Sequence, residues 1–133
     1  MILSFDPLKL AERGRCELRD EDSRLVYWGI YDFAYKHRTR IYNSEGFEVA
    51  YVQKDISLEE AHVDFCDSED HKIGALIKNN DTLIIQPEGY SYKGDYHKGE
   101  IEDFMKIEEG KLEVNDDVLK GIMIMFALVE IDR

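Results

Sequence analysis

The chain has 133 residues, 44% of them hydrophobic, and a formal net charge of -12. That length carries one domain, spanning 1–133, with a single real core, and the composition is that of a folding chain. The charge argues against the phosphate-neutralising surface of a nucleic-acid binder and against simple adsorption to anionic lipid, and fits a basic partner protein or plain solubility.

The N-terminal Met1-Ile2-Leu3-Ser4-Phe5-Asp6-Pro7 lacks a charged stretch followed by a long apolar one, so no signal peptide is read. Cys16 and Cys66 form no CxxC unit and fit a reducing compartment. A cytosolic (cytoplasmic) protein is the expectation.

From Leu18 onward a strand-turn-strand form recurs. Its copies run Leu18–Tyr27, Ile41–Val52 and Val63–Ile77. Asp20, Asn43 and Asp67 hold equivalent turn positions, as do Val26, Val49 and Ile73. Asp and Asn supply turns by bonding the local backbone, and the flanks alternate as a half-buried sheet does. Further short strands are expected at Trp28–Tyr35, Val52–Ile56, Thr82–Ile85, Tyr90–Lys93, Ile101–Ile107 and Lys111–Val114. Ser57-Leu58-Glu59-Glu60-Ala61 resembles a capping box and is read as a turn or single helical turn. Strands punctuated this often predict a meandering antiparallel sheet or barrel.

Gly121–Val129 is the one long apolar run. It is too short to span a bilayer, which takes about 20 apolar residues. Met123, Met125, Ala127 and Leu128 favour helix, and Asn115-Asp116-Asp117 supplies an N-cap. A helix over 118–132 is apolar nearly all round and must be enclosed. A mainly β fold follows: an antiparallel barrel of repeated hairpins around a central hydrophobic C-terminal helix.

These two features resemble the LURP-one-related family of the tubby C-terminal-like superfamily, which includes phospholipid scramblases. The match is nearest at Arg40–Lys54, with its Asn43 turn, Gly46 and Glu48-Val49-Ala50; Gly94-Asp95-Tyr96 resembles a later family step. It covers Cys16 to Asp132. The resemblance implies a roughly twelve-stranded barrel around its last helix. This chain is a short member, so a strand pair near Lys98–Glu113 is expected to be curtailed and the barrel open at one side. The basic lipid-headgroup pocket of tubby domains has no evident counterpart.

Lys36-His37-Arg38-Thr39-Arg40 is the one basic cluster, able to grip a phosphate or headgroup but also read as a solvated loop guarding a sheet edge. Tyr90 and Tyr92 could offer a ligand surface or simply alternate along a strand. The candidate binding residues are therefore Lys36, His37, Arg38, Arg40, Tyr90 and Tyr92. The groups Asp20-Glu21-Asp22 and Asp67–His71 lack calcium-loop spacing. His37, His62, His71 and His97 are dispersed, and neither cysteine marks a nucleophile pair. No catalytic, metal or cofactor motif is read. The expectation is a non-enzymatic binding domain, monomeric or weakly dimeric, for a basic protein or a small anionic ligand. A lipid headgroup, by analogy with tubby and scramblase domains, is the remaining reading.

Overall fold

A computed structural model describes residues 1–35, 37–56, 61–79, 82–87, 92–95, 100–101 and 104–131, with backbone alone over 79–100. Among them the chain forms twelve strands and two helices. In order these are β1 (Ile2–Ser4), α1 (Pro7–Ala11), β2 (Cys16–Arg19), β3 (Leu25–Tyr31), β4 (Arg38–Asn43), β5 (Glu48–Lys54) and β6 (Ala61–Asp67). Then come β7 (Lys72–Asn79), β8 (Thr82–Pro87), β9 (Tyr92–Asp95), β10 (Glu100–Ile101), β11 (Met105–Glu108), β12 (Lys111–Val114) and α2 (Val118–Ile131).

The fold is mainly β and antiparallel. From β2 to β12 each strand pairs with its sequence neighbour, and β1 lies between β12 and β2. The two contacts of β1 are unequal. It pairs with β12 over three residues but meets β2 at the single pair Ser4↔Arg19.

The repeat read from the sequence is a repeat in space. Asp20 Oδ1 accepts hydrogen bonds from the amides of Asp22 and Arg24, Asn43 Oδ1 from Glu45 and Phe47, and Asp67 Oδ1 from Glu69 and His71. Three residues on, Ser23, Gly46 and Asp70 have φ of 64°, 86° and 67°. In each hairpin the strand register also shifts just before the Asp or Asn, at Leu18/Arg19, Ile41/Tyr42 and Phe65/Cys66. A turn followed by a left-handed residue and a bulge is a favoured way to reverse a twisted pair of strands.

The sheet curves around α2, which contacts β4, β5, β6, β7 and β12. Gly121 through Ala127 are all buried, as an all-round apolar helix requires. Their walls are inward side chains such as Leu18, Ile41, Val52, Val63, Leu76 and Leu112. Two glycines permit close approach: a Cβ at Gly29 would stand 2.3 Å from Phe126 Cζ, and one at Gly121 would stand 2.6 Å from Val114 Cγ2. Asp117 Oδ1 caps the helix start by accepting the Lys120 amide at 3.1 Å. At the other end Lys54 Nζ donates to the Ile131 carbonyl at 2.9 Å.

Several boundaries differ from expectation. Trp28–Tyr35 is no separate strand: β3 runs on through Trp28 to Tyr31, and the chain then turns. Val52–Ile56 is no separate strand either: Val52 to Lys54 closes β5, and Asp55 and Ile56 lie beyond it. Ile101–Ile107 divides into β10 and β11, and the Phe104 amide turns back onto the Ile101 carbonyl. Residues 57–60 of the capping-box candidate lie outside the described residues, and Ala61 opens β6. Near Lys98–Glu113, where residues 96–99 and 102–103 lie outside the described residues, β9 through β12 pair in sequence order. Two elements lacked an expectation. β1 has only three residues, too few to show a period, whereas α1 carries a readable signal: Pro7 follows Asp6, whose Oδ1 accepts the Leu8 amide.

Candidate functional site

In an antiparallel meander the β2–β3, β4–β5 and β6–β7 turns stand at one end of the strands. Strands lie about 4.8 Å apart, so successive turns are about 10 Å apart. This rim carries Asp20, Glu21, Asp22, Glu45, Asp67, Glu69 and Asp70, against only Arg24 and Lys72. Asp20 and Asp67 are engaged by their own turns, and Asp70 accepts the Tyr51 hydroxyl at 2.9 Å. The amides of His71 and then Glu69 hold the Asp67 carboxyl below the ordinary aspartate range. Glu21, Asp22, Glu45 and Glu69 stand in solvent. In the middle turn Phe47 is 66% exposed, and Ile73 opens the third hairpin at 40%. The rim is a row of three carboxylate-bearing turns with an exposed phenyl group on the middle one.

The predicted basic cluster has another fate. Arg38 and Arg40 do lie together, on the outer face of β4, with β3 and β5 on either side. They are therefore mid-sheet, not at an edge. Arg40 donates to Asp32 Oδ2 at 2.5 Å and Glu48 Oε1 at 2.8 Å. The Arg40 hydrogen bond holds the Asp32 carboxyl below its usual range. Burial opposes the Arg40 charge, but Asp32 and Glu48 outweigh it and the guanidinium pKa rises. Arg38 lies against the rings of Tyr35 and Tyr51, at 4.3 and 4.1 Å, and its Nε donates to Gln53 Oε1. These arginines clasp the β3–β4 turn to the sheet. His37, at φ 62°, donates its amide to the Tyr31 hydroxyl. Lys36 and Tyr90 lie outside the described residues, as does the Tyr92 side chain, although Tyr92 pairs with Ile85 through β8 and β9.

Thr39, between the two arginines, points inward. Its hydroxyl donates to Glu130 Oε1 at 3.4 Å, and Arg13 Nη2 donates to Glu130 Oε2 at 3.0 Å. Glu130 has no exposed side-chain surface, while Arg13 is 18% exposed and stacks on Tyr31 at 4.3 Å. A space of about 10 Å³ adjoins them, room for about one water. Alternation on β4 thus sends its charges out and one hydroxyl to the helix. No sequence signal joined Arg13 to Glu130, which are 117 residues apart.

Both cysteines are buried. Burial first, then Asp6 and Glu17, pushes the Cys16 thiol up to about 12, and burial raises Cys66 as well. Such thiols are poor nucleophiles. His62 Nε2 bonds Asp64 Oδ1 at 2.8 Å, and Asp64 also takes Lys72. Among the described residues no group of three or more His, Cys, Asp or Glu side chains can hold a metal, and no helix is long and apolar enough to cross a membrane. No protein-family model, curated protein or solved structure matches the chain.

Proposed function

We propose that the chain is a cytosolic, non-enzymatic interaction domain that takes a basic partner protein on its rim of hairpin turns. The architecture we assign it is a barrel of the LURP-one-related, tubby C-terminal-like kind, closed by the Ser4↔Arg19 pair around α2. The Asp/Asn hairpin copies and the enclosed last helix support that assignment.

The observation that carries the function is the placement of charge. Three turns of one hydrogen-bond pattern gather seven carboxylates at one end, with Phe47 exposed on the middle turn. Each turn is fastened by its own Asp or Asn, so the surface is ordered before a partner arrives, which lowers the cost of binding. Acidic turns on either side of an exposed aromatic residue suit a basic surface with an apolar pocket: charge speeds encounter, and the aromatic side chain supplies holding energy. The clasped arginines of β4 leave the lipid-headgroup reading without a comparable observation.

The test is capture from lysate at low and high salt with three proteins. These are the wild type, a rim variant (Asp22→Asn, Glu45→Gln, Glu69→Gln, Phe47→Ala), and a variant carrying the same number of charge changes at Glu12, Glu108 and Glu113. A basic protein held by the wild type and the second variant, released by salt and lost by the rim variant, is the expected result. Equal loss in both variants would leave only net charge acting, and the rim reading would fail.

A further inference from the structure

The single-pair seam between β1 and β2 opens beyond Ser4 into a groove of about 440 Å³ lined by Ser4, Phe5, Asp6, Lys9, Arg15, Glu17 and Arg19. Its charge runs against that of the chain: Lys9, Arg15 and Arg19 face Asp6 and Glu17 in a protein of net charge -12. Asp6 is engaged as the cap of α1. Glu17 is the telling residue. Its Oε2 atom lies 3.4 Å from Arg15 Nη2 and 3.2 Å from Arg19 Nη2, so one carboxylate oxygen bridges two guanidinium groups.

Both guanidinium groups are held in place by other contacts. Arg15 lies 4.0 Å over the Trp28 ring, which stacks on Tyr42 at 4.2 Å. Arg19 Nη1 donates to the Ser23 carbonyl at 3.0 Å. Lys9 has no ion-pair partner among the described residues. We infer that this groove is a binding site for a small soluble anion bearing a phosphate or carboxylate group, whose oxygen takes the position of Glu17 Oε2 between Arg15 and Arg19 while Lys9 closes on its second charge. Planar guanidinium groups match such oxygens in paired geometry, and a free ammonium adds a point charge. Glu17 is 36% exposed, and pairs of that kind are weak enough to yield. The site is separate from Arg38 and Arg40 and touches the rim only through the Arg19 bond to Ser23; its ligand is a small anion and not the proposed basic partner, so each can fail without the other.

Trp28 is the single tryptophan, and it touches Arg15, so its fluorescence reports on the groove directly. The experiment titrates inorganic phosphate, then succinate, into the intact protein against sodium chloride at matched ionic strength. Saturable change with either anion supports the site, and which of the two binds tells phosphate from carboxylate chemistry. Glu17→Gln removes the internal competitor and should tighten binding about threefold to fivefold. Arg15→Ala should weaken it at least about tenfold, and Lys9→Ala, on an exposed helix face, provides the same test without touching the fold. Response no greater than chloride in both wild type and Glu17→Gln overturns the inference. So does equal affinity in wild type, Glu17→Gln and Lys9→Ala.

Discussion

The two ends of the strand wall are built by different rules. At the rim each turn is closed by hydrogen bonds reaching two or four residues along the chain. At the opposite end Arg13 and Thr39 reach Glu130 across 117 and 91 residues, and Lys54 reaches Ile131 across 77. The rim bonds are repeated, exposed and independent of one another. The far end depends on a few buried bonds that exist only once the helix is enclosed. Loss at the rim should therefore be small and additive, and loss at the Glu130 end large and shared.

The sharpest way to break that contrast is Arg13→Ala. It strands a fully buried carboxylate, and its expected cost is about 3 kcal/mol by urea unfolding, at the low end for a broken buried pair because Arg13 is partly exposed. Arg13→Met with Glu130→Met should recover most of the loss. If Arg13→Ala costs no more than a rim substitution, the two ends do not differ as argued.

Packing around the helix sets the next effect. Gly29→Ala places a methyl group against the Phe126 ring, and about 2 kcal/mol should be lost through overpacking. Phe126→Leu in the same chain should return part of it, read again as ΔΔG coupling. At the rim, Asn43→Ala removes two turn bonds to exposed amides and should cost about 1 kcal/mol.

Acid should act on the outer clasp and the rim before the apolar core. The Asp32 and Asp67 carboxyls titrate below the ordinary 3.8 in the folded chain. Their contribution is then complete above that value and drains as pH falls through the lower folded-state values. Asp32→Asn should be less stable than wild type at pH 7, with the gap narrowing below pH 3.8 in denaturant titrations. A gap that stays constant with pH would remove the Arg40–Asp32 pair as its cause. The smallest effect belongs to the thiols. With Cys16 pushed up to about 12 and Cys66 also raised, an aromatic disulfide reagent should label neither in the native state, and labelling should follow global unfolding. Rapid native labelling of either would show that the wall opens locally.

Much of the first contrast was readable from residue order. Asp20, Asn43 and Asp67 act on amides within four residues, so their equivalence survives any tertiary arrangement. Gly121–Val129 announced an enclosed helix because a helix apolar all round has no face to leave in water. The strand ends were less legible. Trp28 suits either the close of one strand or the start of another, and only its pairing with Tyr42 on β4 settles the matter. Lys36–Arg40 was legible as a basic cluster but not as a clasp, because Asp32 and Glu48 approach Arg40 through a turn and a neighbouring strand.

By itself, then, the sequence determined the hairpin turns, the helical state of the last segment and the excess of negative charge, all properties that depend on near neighbours or on composition. Only the tertiary structure decided that Glu130 meets Arg13, that Arg40 is already paired, and that Arg15, Glu17 and Arg19 flank an open seam where β1 returns to β2. Those arrangements depend on strand register, on which face of a strand each residue takes and on where the first strand enters the sheet, and no short stretch of chain encodes them.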